Sequence, residues 1–263
     1  MNKNTTKNRI IIQSLINKFK EYKEFAEKEE FDYEVIDFAY PKIINSKQKT
    51  KKTLIGYKKR LELGDIFLSM HGSFIDLYIN SPDNLIKKAS QKRIIQNLDI
   101  AKKLKIKYVI FHTNFLPMIK NENWVKEHVL FWKKIVNKYK IVILLENMWD
   151  KNPDKILEVI KKVNSKYLQF CFDIGHWNVF SDVSLEILFK NLGKYTNYIH
   201  INDNFGKEDL ELPIGEGNIS WKKFSKLVIR YCKTPYVVIE VKNLDWIKKS
   251  LKYMKLKKIY PYN

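Results

Sequence analysis

Short apolar segments alternate along this chain with longer segments of helical periodicity. The apolar segments are rich in Val, Ile, Phe and Tyr, and they cover residues 9–16, 33–39, 66–71, 108–112, 141–146, 168–173, 197–202 and 236–240. Lysine-rich segments with apolar residues three and four positions apart predict helices near residues 17–30, 47–62, 84–104, 122–139, 153–163, 184–191, 221–231 and 244–254. Strands that alternate with helices indicate βαβ units and a parallel sheet.

The number of units predicts how the sheet closes. Eight βα units of about 33 residues each match the length of a (β/α)8 TIM barrel. The first segment, RIIIQSLI, is the weakest strand prediction, because its pattern also fits a helix. No linker, low-complexity stretch or change of composition interrupts the chain, so we expect a single α/β domain over residues 1–263.

The chain is strongly basic, with 49 Lys and Arg against 29 Asp and Glu and a net charge of +20. Such a charge is typical of proteins that bind nucleic acid. Only four of the basic residues are arginines, however, and the arginine fork is the side chain that best contacts phosphates and base edges. The joint abundance of Lys, Asn and Ile favours a genome-wide codon bias as the source, with a binding surface as the alternative.

Composition excludes several classes of protein. An apolar content of 45% excludes a disordered chain, and two cysteines exclude a disulfide framework. We expect Cys171 and Cys232 to be reduced, buried thiols. No apolar segment approaches the ~18 residues that span a bilayer, and MNKNTTKNRIII lacks the core of a signal peptide. We therefore expect a cytoplasmic protein with no membrane partner, and a homo-oligomer stays open.

Residues of the kind that bind metals stand at the ends of six apolar segments. In a parallel barrel, the carboxyl ends of all strands lie on one rim, where barrel enzymes place their active sites. Buried imidazoles and carboxylates without partners would be costly, so a shared structural role explains six of them poorly. The six residues are His71, His112, Glu146, Asp173, His200 and Glu240.

The combination of ligands indicates the type of metal. Imidazole with carboxylate favours Zn, Mn, Co or Fe over Ca or Mg. Strands five to eight are expected to hold one ion through Glu146, Asp173, His200 and Glu240. His71 and His112 either hold a second ion, with Glu146 as the bridge, or bind a substrate hydroxyl. His128 is the one histidine away from the strand ends, and we expect it on a helix surface or at the edge of the core.

The motifs around these residues resemble those of the xylose-isomerase-like TIM-barrel superfamily, which includes sugar isomerases and epimerases together with endonuclease IV. The resemblance covers about residues 30–240. It rests on six segments: HGSFIDLYINSPD (71–83), YVIFHTNFLP (108–117), ILLENMWD (143–150), FDIGHWN (172–178), YIHINDNFG (198–206) and LPIGEG (212–217).

The resemblance implies roles for individual residues. It makes Glu146, Asp173, His200 and Glu240 the ligands of the shared metal ion. His71 and His112 fall where endonuclease IV binds a second ion, and Asp209 falls in its third metal site. His176 contacts substrate in the similar epimerases and binds metal in the endonuclease. The histidine expected just before LPIGEG is replaced by Glu211.

The first function that follows is metal-dependent isomerisation or epimerisation of a sugar or sugar phosphate. A proton next to a carbonyl would be abstracted, and the metal would stabilise the enediolate. Glu146 or Glu240 would take the proton and the other would return it. His71, His112 and His176 would orient the small carbohydrate substrate.

The alternative is hydrolysis of a phosphodiester by two or three zinc or manganese ions, as in endonuclease IV. His71 and His112 would then be metal ligands, and His176, Asp209 and Glu211 would hold a third ion. Abasic DNA as the substrate would give the basic charge a role. The scarcity of arginine disfavours nucleic acid and leaves a small phosphodiester as the other possibility.

Two further features near the strand ends each allow two interpretations. Trp149, Trp177 and Phe115 would form apolar walls for a carbohydrate or simply pack within loops. In LPIGEGNISW, Gly215 and Gly217 would allow a tight turn or present backbone N–H groups to a phosphate, and we favour the turn.

Overall fold

Eight parallel strands form a closed barrel in which each strand pairs with its neighbours in sequence and the last pairs with the first. The structure is a computed structural model, and it describes residues 9–65, 67–116 and 122–263. The strands are β1 (Ile10–Ser14), β2 (Asp32–Val35), β3 (Phe67–His71), β4 (Tyr108–His112), β5 (Val142–Glu146), β6 (Leu168–Asp173), β7 (Thr196–Ile201) and β8 (Tyr236–Ile239). The predicted α/β barrel is confirmed.

Ten α-helices cover the outside of the barrel in the described part of the chain. They are α1 (Phe19–Glu29), α2 (Pro41–Ile44), α3 (Lys47–Glu62), α4 (Asn84–Lys103), α5 (Trp124–Tyr139), α6 (Asp154–Val163), α7 (Ile174–Phe180), α8 (Leu185–Leu192), α9 (Trp221–Tyr231) and α10 (Leu244–Lys257). The sequence predicted eight of them. It missed α2 and α7, which span only four and seven residues and are too short to show helical periodicity. Among the described helices, none is both long and apolar enough to cross a membrane.

The uncertain first segment is a strand. Ile11 pairs with Asp32 of β2 and with Val238 of β8, so β1 closes the barrel. A helix at this place would leave the edges of β2 and β8 with unpaired backbone groups. Residue 66 of the third predicted strand, residue 117 of the segment 108–117 and residues 1–8 of the amino-terminal segment lie outside the described residues.

The strands bury side chains on both faces. Alternate residues of each strand point into the barrel, where Ile110, Leu144 and Tyr198 belong to an interior apolar cluster. Their chain neighbours Val109 and Leu145 belong to the larger cluster between the barrel and the helices. Each fully buried side chain of this size contributes roughly 1.5–3 kcal/mol, which makes these two layers the main source of stability.

His128 lies fully buried in α5, whereas the sequence predicted a position on a helix surface or at the edge of the core. Its ring stacks on Trp124 with centroids 3.8 Å apart, and Trp132 donates its indole N–H to His128 Nδ1 at 3.3 Å. Burial lowers the pKa of His128 to about 3. The folded protein therefore holds this imidazole in its neutral form.

This burial predicts a defined loss of stability in acid. In the unfolded chain, His128 takes up a proton below its ordinary pKa of about 6.5. The contribution of the buried, neutral imidazole to the free energy of unfolding is therefore complete above that pH and decreases as the pH drops towards 3. When the pH falls from 7.5 to 5.0, we expect the free energy of unfolding of the wild type to decrease by about 2 kcal/mol more than that of His128→Phe. Urea unfolding at both pH values measures the difference, and the lost indole hydrogen bond cancels because it is absent at both. Equal losses in the two proteins would contradict the prediction.

Candidate metal centre and substrate cavity

Seven strands and the residue directly after β8 each contribute one polar side chain to the mouth of the barrel. The strand pleat explains this, because residues two positions apart in a strand point to the same face. Glu146 stands two residues after the inward-facing Leu144, and His200 stands two residues after the inward-facing Tyr198. Apolar side chains therefore fill the interior and polar ones lie above them. The eight residues are Gln13, Glu34, His71, His112, Glu146, Asp173, His200 and Glu240.

Four of these residues form the predicted metal group. One ligand atom from each of Glu146, Asp173, His200 and Glu240 lies within 4.8 Å of all the others. His200 Nδ1 is 2.9 Å from Glu146 Oε1 and 3.0 Å from Glu240 Oε2. Asp173 Oδ1 accepts a hydrogen bond from the His176 backbone N–H at 2.6 Å, whereas Asp173 Oδ2 is buried without a hydrogen-bond partner among the described residues.

The electrostatics of this group fit a divalent cation. Burial raises the pKa of Asp173 well above its usual value, and the charges of Glu146 and Glu240 add to the effect against the opposing charge of His176. Three carboxylates so close together and so deeply buried repel one another unless a cation lies between them. The partnerless Asp173 Oδ2 and the mixed imidazole and carboxylate donors suit Zn²⁺ or a similar ion.

Glu146 is the centre of the histidine cluster. It lies within 4 Å of four imidazoles: His71 at 3.2 Å, His112 at 3.4 Å, His176 at 3.8 Å and His200 at 2.9 Å. Burial would raise the pKa of Glu146, but His200, through its charge and its hydrogen bond, and His71, through its hydrogen bond, hold it well below its usual range. The carboxylate is therefore ionised and able to bridge two positions in the site.

His71, His112 and Glu146 form a second group of three possible ligands. His71 Nδ1 donates to the Gly72 carbonyl at 2.8 Å, which leaves Nε2 to face Glu146. Burial lowers the pKa of His112 to about 3, so its imidazole is neutral and available as a ligand. This geometry accommodates either a second ion or a substrate hydroxyl.

The third predicted group is only partly assembled. His176 Nδ1 lies 2.8 Å from the Asn147 carbonyl, and its Nε2 lies 3.2 Å from Asp209 Oδ2. Glu211 lines the same cavity, and burial, with the charges of Glu240 and Asp209, raises its pKa to about 7. Among the described residues, the possible metal groups include none of the three predicted members, His176, Asp209 and Glu211.

Gln13 and Glu34 belong to the site but were not predicted. Gln13 Nε2 donates to Glu240 Oε1 at 2.7 Å and to Glu34 Oε1 at 3.0 Å, and His200 Nε2 lies 3.5 Å from the same Glu34 oxygen. Ser69 Oγ donates to Glu34 Oε2 at 2.9 Å. The apolar segments 9–16 and 33–39 extend beyond the ends of β1 and β2, so these two residues looked like mid-strand positions.

A cavity of about 620 Å³ opens above these residues. Glu240, His71, His112 and His176 lie on its floor and walls, together with Trp149, which is 39% exposed. Glu240 is 17% exposed, whereas Glu146 is fully buried. A ligand in the cavity would therefore meet Glu240 first.

Two of the three aromatic residues, Trp177 and Phe115, follow the second interpretation and pack within the fold. Trp177 donates its indole N–H to the Val183 carbonyl at 2.8 Å, and Phe115 packs edge-on against Trp124. Neither side chain is among the residues that line the cavity. Both instead pack in the layer between the barrel and the helices, because a position after a strand end does not determine to which side the loop turns.

The loop that contains LPIGEG forms a turn around Asp203. Asp203 accepts hydrogen bonds from the backbone N–H groups of Gly215 at 2.8 Å and Ile219 at 3.3 Å, and from the Trp221 indole at 2.7 Å. Gly215 has φ +92°, which a residue with a side chain adopts only with strain. Because the Gly215 N–H already donates to Asp203, it is not available to a phosphate, and the segment acts as a turn.

Positive charge is not concentrated around the cavity. The described connections that lead from each strand to the next long helix carry twelve carboxylates and five lysines, namely Lys18, Lys42, Lys151, Lys207 and Lys242. The opposite end of the barrel has the reverse balance. There, the described connections that lead into the strands carry Glu30 and Asp65 against seven cations, namely Arg9, Lys105, Lys107, Lys140, Lys166, Lys194 and Lys233.

In sequence, the chain is similar to an uncharacterized protein and to a probable endonuclease 4. It is 29% identical over 222 residues to an uncharacterized protein of Methanocaldococcus jannaschii, covering 79% of this chain and 74% of that protein. It is 26% identical over 187 residues to a probable endonuclease 4 of Mesomycoplasma hyopneumoniae, covering 61% of this chain and 68% of that protein.

Solved structures share the fold. A protein of Thermus thermophilus soaked with ZnCl2 superimposes with a TM-score of 0.76 at 20% identity, over 94% of this chain and 97% of that one. A D-tagatose 3-epimerase-like protein gives a TM-score of 0.76 at 23% identity, over 94% and 96% of the two chains. The family model described as a xylose isomerase-like TIM barrel matches residues 25–257. This chain therefore belongs to the xylose isomerase-like TIM barrel family.

Proposed function

We propose that this protein is a divalent-metal-dependent isomerase or epimerase of a sugar or sugar phosphate. One observation carries the proposal: Glu146, Asp173, His200 and Glu240 offer ligand atoms within 4.8 Å of one another, and Glu240 of this group lines a cavity of about 620 Å³. This volume is typical of cavities that bind small molecules. The structural similarity to a D-tagatose 3-epimerase-like protein is consistent with it.

The same four residues would hold the ion. Their donor set suits Zn, Mn, Co or Fe, and one ion is sufficient for the reaction. When bound, such an ion stabilises negative charge that develops on a substrate oxygen. A relative in fold was studied with ZnCl2, which is consistent with a metal of this type.

The two glutamates would move the proton. Glu240 lines the cavity, and its carboxylate would take the proton from the carbon next to the substrate carbonyl. Glu146, which is ionised in the free protein, would pass to the opposite face of that carbon a proton supplied by His71, whose Nε2 lies 3.2 Å from Glu146 Oε2, and the configuration of the carbon would be inverted. Proton exchange with solvent would then restore Glu240 and His71. Gln13 holds Glu240 Oε1 through its 2.7 Å hydrogen bond and would keep the other oxygen directed towards the site.

The remaining histidines would orient the substrate. His71, His112 and His176 line the cavity and present ring nitrogens that hydrogen-bond sugar hydroxyls. Trp149 offers an apolar face on the same wall. These contacts would fix which carbon of the sugar lies between the two glutamates.

The second candidate is an endonuclease IV-like phosphodiesterase. It is favoured by the group of His71, His112 and Glu146, which is able to hold a second ion, and by the similarity to a probable endonuclease 4. The excess of carboxylates over lysines around the cavity disfavours DNA, because a polyanion would be repelled. A small phosphodiester is therefore the form of this alternative that we retain.

Loss of either glutamate tests the proton transfer. We expect Glu146→Gln and Glu240→Gln each to reduce exchange of substrate hydrogen with solvent deuterium by at least about 100-fold, because an amide neither takes nor returns the proton. The measurement follows deuterium incorporation next to the carbonyl in a panel of ketoses and their phosphates. Glu216→Gln is the matched control, since Glu216 is exposed and pairs with Lys249 away from the cavity. Unchanged exchange in both site variants would refute the proposed mechanism.

The number of bound ions separates the two candidate functions. We expect one ion per chain in protein purified without added metal, and we expect His112→Ala to keep that ion while binding the sugar more weakly. Elemental analysis and calorimetry measure these two properties. Two or three ions per chain, loss of one ion in His112→Ala, and cleavage of a generic phosphodiester would together establish the alternative.

Glu34 provides a test of the surroundings of His200. Removing its charge with Glu34→Gln would leave His200 Nε2 without a carboxylate neighbour, and we expect metal affinity to fall by about 10–100-fold. Competition with a chelating dye measures the affinity, and circular dichroism checks the fold. Glu158→Gln is a matched control, because Glu158 forms an exposed pair with Lys162 on α6. An unaltered affinity in Glu34→Gln would show that Glu34 does not act on the metal ligand.

A further inference from the structure

Two lysines line the cavity on one side. Lys18 follows β1 and Lys242 follows β8, and these two strands are paired neighbours in the barrel. The other three lysines in the described connections around the cavity do not line it: Lys42, Lys151 and Lys207. The two cavity lysines therefore form a localised positive region in surroundings that are otherwise acidic.

Neither cavity lysine is neutralised by an ion pair within the described part of the chain. Lys42 and Lys151 have other contacts, since Lys42 Nζ lies 5.4 Å from the Tyr40 ring centroid and Lys151 pairs with Asp182. Lys242 Nζ lies 5.6 Å from the Trp246 ring centroid. Both lysines are exposed residues that line the cavity, and the charge of Lys242 acts on the nearby Glu211, where it opposes the rise in the pKa of that carboxyl.

The rest of the cavity would repel an anion. Asp76, Asp209, Glu211 and Glu240 also line it. Among the lysines around the cavity, Lys18 and Lys242 are the pair that would favour an anionic group on a ligand. A neutral part of the same ligand would occupy the space above the metal group.

We propose that Lys18 and Lys242 form a subsite for an anionic substituent, a phosphate ester or a carboxylate, at one end of the sugar. This inference rests on the proposed function, because it assigns the class of substrate to the same cavity. The lysines supply two mobile point charges, which suit a terminal phosphate or carboxylate that rotates freely. The reacting carbons would then lie over Glu240, and the far end of the sugar would contact His71, His112 and Trp149.

The subsite also gives the substrate one orientation. A neutral sugar presents similar hydroxyls at both ends, so histidines alone select its direction poorly. An anionic end held beside β1 and β8 makes the reverse orientation unfavourable, because that orientation would place the charge against Asp76. Lys18 and Lys242 are thus specificity-determining residues, and they take no part in the proton transfer.

Binding measurements test the subsite without relying on turnover. We compare D-fructose 6-phosphate with D-fructose, and D-glucuronate with D-glucose, on protein that carries the metal ion it retains on purification. We expect at least one anionic sugar to bind about tenfold or more tightly than its neutral partner, since hydrogen bonds to charged groups are the stronger ones. The two pairs distinguish a phosphate ester from a carboxylate.

Variants then locate the source of the preference. We expect Lys18→Met with Lys242→Met to abolish it while the metal content and the affinity for neutral sugar stay within about twofold of the wild type. Lys207→Met is the matched control, and it should keep the preference, because Lys207 is a neighbouring exposed lysine that does not line the cavity. Preference that survives in the double variant, or anionic sugars that bind no more tightly than neutral ones, would overturn the subsite.

The subsite and the proposed function fail in different ways. Deuterium exchange without any preference for anionic sugars refutes the subsite and leaves the isomerase. A lysine-dependent preference without exchange in any sugar supports the subsite and refutes the isomerase.

Discussion

The site depends on one electrostatic constraint, the burial of Glu146 among four imidazoles. A carboxylate without exposure to water is stable only where positive or hydrogen-bonding partners surround it. His71, His112, His176 and His200 provide these partners from β3, β4, α7 and β7. Because each imidazole must reach the same carboxylate, the relative positions of these elements are fixed by the site as well as by the apolar core.

Further residues support this arrangement through hydrogen bonds into the barrel interior and between neighbouring strand ends. Glu34 connects His200 and Gln13 with Ser69, whose hydroxyl also contacts the Tyr198 hydroxyl in the barrel interior. Asn147 exchanges two hydrogen bonds with the backbone of Asp173 and so fixes the end of β6 beside the end of β5. Residues that touch no substrate therefore determine where the ligand atoms lie.

The distribution of charge changes the meaning of the net charge of +20. Cations outnumber carboxylates in the described connections at the amino ends of the strands, and carboxylates outnumber lysines around the cavity. The overall charge would attract polyanions to the surface without directing them to the metal group. Among the described lysines near the cavity, Lys18 and Lys242 are the pair that lines it, and that pair matches a small anionic ligand better than a DNA backbone.

The sequence by itself determined the barrel and most of the metal group. Eight alternating units predicted the strand order, and polar residues at the ends of apolar segments identified six of the eight side chains in the barrel mouth, because period-two burial and strand termini are local properties. Gln13 and Glu34 were missed, since the apolar segments around them continue past the true strand ends. Only the tertiary structure decided which loop residues face the cavity: it placed Trp149, Lys18 and Lys242 there and turned Trp177 and Phe115 into the outer layer. The physical reason is that the direction of a loop side chain depends on packing between distant elements, which no local pattern encodes.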